Sequence, residues 1–111
     1  MSDVIYVCET CRLEDGQVPG AEFAHALSQG VGHLDIEVRR VACLNQCDTP
    51  MSLALRGAGK TAYLFANVVL SDVADAAALA GLYVAAKDGE ITDARPAGRL
   101  RHCLVGKIPA L

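Results

Sequence analysis

The chain has no tryptophan, and only 5% of its 111 residues are aromatic. Aliphatic residues and alanine must therefore fill its core, for which a 52% apolar share is ample. No apolar stretch approaches the ~18 residues of a membrane span. The start does not read as a signal peptide, because Ser2-Asp3 stands where a basic region belongs and Cys8 interrupts the apolar run. A basic stripe interleaved with aromatics is also missing, and the net charge is −3, so nucleic-acid binding is not expected. No Ser/His/Asp arrangement or carboxylate pair has catalytic spacing, which argues against an enzyme. Internal repeats and low-complexity segments are absent as well. These absences leave one cytoplasmic domain spanning residues 1–111 as the expectation.

Cysteine is the residue present in excess. Cys8 and Cys11 form a C-x2-C pair directly after the apolar run Val4-Ile5-Tyr6-Val7. Cys43 and Cys47 form a C-x3-C pair after the run 34–42, with 31 residues between the pairs. In a cytoplasmic chain, paired thiols point to metal binding or redox chemistry rather than structural disulfides. A gap of two or three residues lets both sulfurs of a pair face one ion or cluster. Thiolates are soft ligands, and four of them suit an iron–sulfur cluster or zinc equally on spacing alone. Thiol–disulfide exchange at Cys8-x-x-Cys11 is a further reading. It is opposed by about nine residues between Cys11 and the first helix-compatible position, since a redox cysteine of that kind sits at a helix N-terminus.

The order of elements bears on whether the pairs meet. Val4 to Val7 suits a central strand buried on both faces. Residues 8–19 read as a loop. Phe23, Ala26, Leu27 and Gly30 share one helical face, predicting a helix over 21–30. Leu34, Ile36 and Val38 alternate with charged residues as a half-buried strand, and the alternation slips at Arg39-Arg40-Val41. After Thr49-Pro50, which marks a turn, Met51, Leu53 and Leu55 alternate again. Gly57-Ala58-Gly59 turns the chain, and 61–66 completes a hairpin. Ser71 is the expected N-cap of a long helix with Val73, Ala76, Ala77, Ala80 and Val84 on its inner face. Residues 90–111 show no clean period beyond a short run at Leu104-Val105. A strand–helix–strand unit makes its strands parallel, so both end at one sheet edge. Each cysteine pair follows such an end. Both are thus expected at the carboxyl edge, where α/β sheets hold ligands.

This order resembles the thioredoxin-like fold: strand–helix–strand, then hairpin and helix, around a central mixed sheet. With the cysteines it resembles the thioredoxin-like [2Fe-2S] ferredoxins, including the small cluster-carrying subunit of respiratory complex I. The segment Cys43-Leu44-Asn45-Gln46-Cys47-Asp48-Thr49-Pro50-Met51 is similar to their C-x3-C loop followed by proline. The first pair is more closely spaced here than in those ferredoxins. The chain also resembles a bacterial family of predicted metal-binding small proteins of uncharacterised function. That likeness rests on Val7-Cys8-Glu9-Thr10-Cys11-Arg12, the C-x3-C loop, Gly59-Lys60-Thr61-Ala62-Tyr63-Leu64-Phe65 and Arg95-Pro96…Lys107-Ile108-Pro109. The resemblance implies a [2Fe-2S] cluster on Cys8, Cys11, Cys43 and Cys47 and one-electron transfer. The expected partner is a redox protein, with a homodimer as an option and no nucleic acid or membrane. The alternative is a zinc-binding or thiol–disulfide redox protein, and a [4Fe-4S] cluster fits the same thiols.

Other features read as structural. Ala54-Leu55-Arg56-Gly57-Ala58-Gly59-Lys60-Thr61 matches a loose phosphate-loop pattern, but a strand follows it where a helix is needed. Cys103 is expected to be a small buried hydrophobe outside the site. His25 and His33 are expected on the surface. Residues 1–94 hold 13 acidic and 6 basic side chains, while residues 95–111 hold 4 basic and no acidic ones. That asymmetry predicts a tail folded back on an acidic body.

Overall fold

The structure is a computed structural model and describes residues 3–13, 15–42, 44 and 50–111. Five strands form one mixed sheet: β1 (Asp3–Cys8), β2 (Ile36–Val41), β3 (Leu53–Arg56), β4 (Ala62–Phe65) and β5 (Leu104–Ile108). Their spatial order is β2-β1-β3-β4-β5. β1 runs parallel to β2 and antiparallel to β3, so the expected crossover unit (β1 and β2) and the hairpin (β3 and β4) lie side by side, joined through the β1–β3 pairing. Helix α1 (Gly20–Gly30) makes the crossover, and α2 (Val73–Ala85) follows the hairpin.

Alternation along the strands builds the core. Ile5 and Val7 of β1, Leu53 and Leu55 of β3, and Tyr63 and Phe65 of β4 are buried together with Phe23, Leu27, Leu79 and Tyr83 of the helices. Val4 and Tyr6 are only partly buried. The expectation that β1 is covered on both faces is therefore corrected: the helices join one core on the Ile5/Val7 face. The helix stripes also rotate from the expected ones. In α1, Ala24 is buried, while Gly30 is exposed. In α2, Leu79 and Tyr83 replace Ala77 and Val84 as buried positions, because the larger side chains reach deepest into the sheet. Ser71 does not cap α2. A single 3-10 turn (Leu70–Asp72) precedes the helix, and the Asp72 carboxylate accepts a hydrogen bond from Val69 N at 2.9 Å.

The C-terminal region is more ordered than its pattern suggests. A 3-10 stretch (Arg95–His102), kinked at Gly98, packs against α2. β5 then closes the sheet, with a register irregularity against Leu64/Phe65. Two of the four tail cations, Arg99 and Lys107, fold back on acids of the body. Arg99 Nη1 lies 2.5 Å from the buried Asp72 carboxylate, and Lys107 Nζ lies 2.8 Å from Glu90. Arg95 pairs with Asp93 at 2.9 Å.

The glycine-rich segment before Lys60 is a hairpin turn between β3 and β4, closed by Lys60 N donating to Gly57 O at 3.1 Å. Lys60 is turned inward. Its ammonium meets Asp3 Oδ2 at 2.5 Å, donates to Tyr83 O at 2.9 Å and lies 4.8 Å from the Tyr83 ring centroid. That lysine is structural, which removes the phosphate-loop reading.

Candidate metal centre

Cys8 is the last residue of β1, and Cys11 lies in the loop that follows. Both thiols are buried, and their sulfurs are 2.8 Å apart. Three neighbouring pieces of chain hold this pair. Cys8 N donates to Ser52 O at 3.1 Å, and Glu9 N donates to Val41 O at 2.8 Å, extending the pairing of β1 past its end. The Thr10 hydroxyl donates to Ala42 O, tying the loop to the end of β2. From the other side the first turn of α1 presses on Cys8. A Cβ at Gly20 would lie 2.1 Å from Cys8 O, so only glycine lets the helix start there.

The helix N-terminus is therefore next to Cys8 in space, although several loop residues separate them in sequence. The contact is with the Cys8 backbone carbonyl, not with its sulfur.

Burial pushes both thiols up, and their mutual hydrogen bond then splits them. For Cys8 the bonds from Cys11 and Thr10 together outweigh burial and hold it below the ordinary thiol value. For Cys11, burial and the Cys8 sulfur raise the pKa, against a lowering hydrogen bond from Ser52. One thiol is thus disposed to ionise first, as a ligand must. Two thiolates on one tetrahedral ion, with bonds of about 2.3 Å, would sit about 3.8 Å apart. The pair would hold such an ion by opening about 1 Å.

Cys43 and Cys47 lie outside the described residues, as does Thr49 of the expected turn. The chain on either side of them is described. Ala42 O lies 3.8 Å from Cys8 Sγ. Beyond Pro50, Met51 and Val68 exchange backbone hydrogen bonds of 3.1 and 2.9 Å, and Ser52 Oγ lies 3.7 Å from Cys11 Sγ. Among the described residues, no three His, Cys, Asp or Glu side chains converge. Cys103 is buried beside Asn67 O and Arg99 O, at 4.0 and 3.7 Å, with its pKa raised chiefly by burial. His25 and His33 are exposed. Thr10, Gly20 and Ser52 were not singled out as site residues from sequence. Thr10 and Ser52 lie within or beside the cysteine segments, but nothing in their spacing shows which way a hydroxyl points.

A mixed five-stranded sheet with a cysteine pair where an inner strand, β1, ends defines a thioredoxin-like α/β protein. The chain belongs to the DUF1636 family, described as proteins of unknown function, whose model matches residues 5–110. None of the curated proteins matches it. Among solved structures, it is similar to a thioredoxin-like [2Fe-2S] ferredoxin from Aquifex aeolicus. The TM-score is 0.60 at 14% identity, covering 96% of this chain and 92% of that one. That likeness establishes the fold. Among the described residues, no helix is long and apolar enough to cross a membrane.

Proposed function

We propose that the chain is a non-enzymatic electron carrier of the cytoplasm that holds a [2Fe-2S] cluster through Cys8, Cys11, Cys43 and Cys47. Its residues 1–111 act as one cluster-carrying domain, and its partner is another redox protein. The observation that supports this best is the placing of Ala42 and Ser52. Ala42 immediately precedes Cys43 and touches Cys8 Sγ, while Ser52, shortly after Cys47, touches Cys11 Sγ. The segment carrying the second pair is thus anchored at both ends on the first pair. When bound, the cluster supplies one-electron chemistry. The chain supplies four thiolates, a partly buried site and hydrogen bonds to the sulfurs. The fold of the Aquifex ferredoxin adds support for iron over zinc.

A second reading, dithiol–disulfide exchange, is favoured by the 2.8 Å separation of Cys8 and Cys11. The burial of both sulfurs opposes it, because an external disulfide must reach one of them.

Protein purified without oxygen should be brown-red and give a spin-half signal after one-electron reduction. Serine at Cys8, Cys11, Cys43 or Cys47 should remove or shift the visible spectrum, and Cys103→Ser should leave it unchanged. A colourless protein after anaerobic purification overturns the electron-carrier reading.

A further inference from the structure

We propose that Ser52 sets the electron affinity of the metal centre by donating its hydroxyl hydrogen to the sulfur of Cys11. The inference rests on the metal-binding reading above and names a residue beyond the ligand set. Ser52 is fully buried between Met51 and Leu53, which are also fully buried. Its backbone is fixed by the bond from Cys8 N and by the Met51–Val68 pair. Its hydroxyl lies 3.7 Å from Cys11 Sγ, its one side-chain hydrogen-bond partner among the described residues. In the free dithiol either group can donate. A metal-bound thiolate carries no hydrogen, so the hydroxyl must then be the donor.

The other hydroxyl at the site behaves differently. Thr10 Oγ1 lies 3.8 Å from Cys8 Sγ, but its closer acceptor is Ala42 O, which it shares with that sulfur. Thr10 is thus a clamp between the two loops, and Ser52 is the donor to sulfur. Ser52 and Cys11 are both buried, so the bond acts at low dielectric. Reduction adds one negative charge to a centre that shares it with its sulfurs. A donor to sulfur therefore stabilises the reduced form more than the oxidised form and raises the potential.

The test compares loaded wild type with Ser52→Ala, Ser52→Thr and Thr10→Val. Ser52→Ala should keep the metal content but lower the reduced-to-oxidised ratio about tenfold at a fixed ambient potential, which is ~59 mV for one electron. Ser52→Thr, which keeps the hydroxyl, should recover most of that change. Thr10→Val should lower stability while moving the potential less than Ser52→Ala does. In deuterated water the reduced wild type should show an exchangeable deuteron magnetically coupled to the spin, and Ser52→Ala should lose it. An unchanged potential and deuteron signal in Ser52→Ala overturn the inference and leave the electron carrier standing. If the wild type takes up cobalt but no iron–sulfur cluster, the electron-carrier reading falls instead. The thiolate-to-cobalt band then decides on Ser52: a shift in Ser52→Ala supports the donor, and an unshifted band overturns it. Wild type that binds neither metal overturns both.

Discussion

Gly20 and Gly30 stand at opposite ends of α1, and alanine at the two positions should have opposite effects. At Gly20 the new Cβ would lie 2.1 Å from Cys8 O, 2.7 Å from Glu9 Cα and 2.9 Å from Cys8 C. All three atoms are backbone, so no side chain can swing aside. Ordinary contact begins near 3.4 Å, and the helix start must move about 1.3 Å away from Cys8. Forced repacking of this kind costs about 1–3 kcal/mol. The gain from replacing a helical glycine, at most about 1 kcal/mol, offsets part of it. Subtracting the full gain leaves a net loss of up to about 2 kcal/mol, or up to roughly 16 °C in Tm for a chain near this size. At Gly30 the new methyl would meet, among the described residues, only the Ala77 Cβ, at 3.5 Å, so Gly30→Ala should be neutral or stabilising by up to about 1 kcal/mol. Urea unfolding of both variants measures the difference. Because Cys8 moves with the contact, Gly20→Ala should also retain less metal than Gly30→Ala. Equal midpoints and equal metal content in the two variants would refute the claim that α1 is seated directly on the site.

Lys60→Met should destabilise the fold by about 3–5 kcal/mol, because it leaves the nearly buried Asp3 carboxylate without its cation. Adding Asp3→Leu should recover most of the loss in a double-mutant cycle, and a purely additive double mutant would show that the pair is not the cause. Tyr83 gives an alkaline signature. Burial, then the charge of Asp3, pushes its pKa up from 10.0 to about 12, and its hydroxyl donates to Thr61 O at 2.6 Å. The neutral phenol is the form the fold favours, so its contribution is complete below pH 10 and is lost as pH rises to about 12. The urea midpoint should fall across that window, and Tyr83→Phe should flatten the fall. An equally steep fall in Tyr83→Phe would assign it to other groups.

The fold was legible where one face of an element is buried and the other is wet. β2 alternates because Ile36 and Val38 pack on the core while Glu37 and Arg39 face water, and the hairpin alternates because the core covers one side of β3 and β4. β5 was not legible as a strand, because four of its five residues are exposed and a register shift breaks its pairing with β4. With neither face buried, no periodicity is imposed on its sequence. Ser71 is not the cap of α2 for a related reason. The 3-10 turn before the helix turns the Asp72 carboxylate back to Val69 N, and α2 starts with no side-chain cap. At the site, the first cysteine pair and its place at the end of β1 followed from the apolar run before it. The contact of Gly20 with Cys8 and the aim of the Ser52 hydroxyl depend on chain packing across 12 and 41 residues, and no local pattern carries them.

The most direct measurement is the iron and acid-labile sulfide content of the protein purified without oxygen, counted against the chain. The account predicts about two irons and two sulfides per chain, the composition of one [2Fe-2S] cluster. One zinc per chain with no labile sulfide would contradict it.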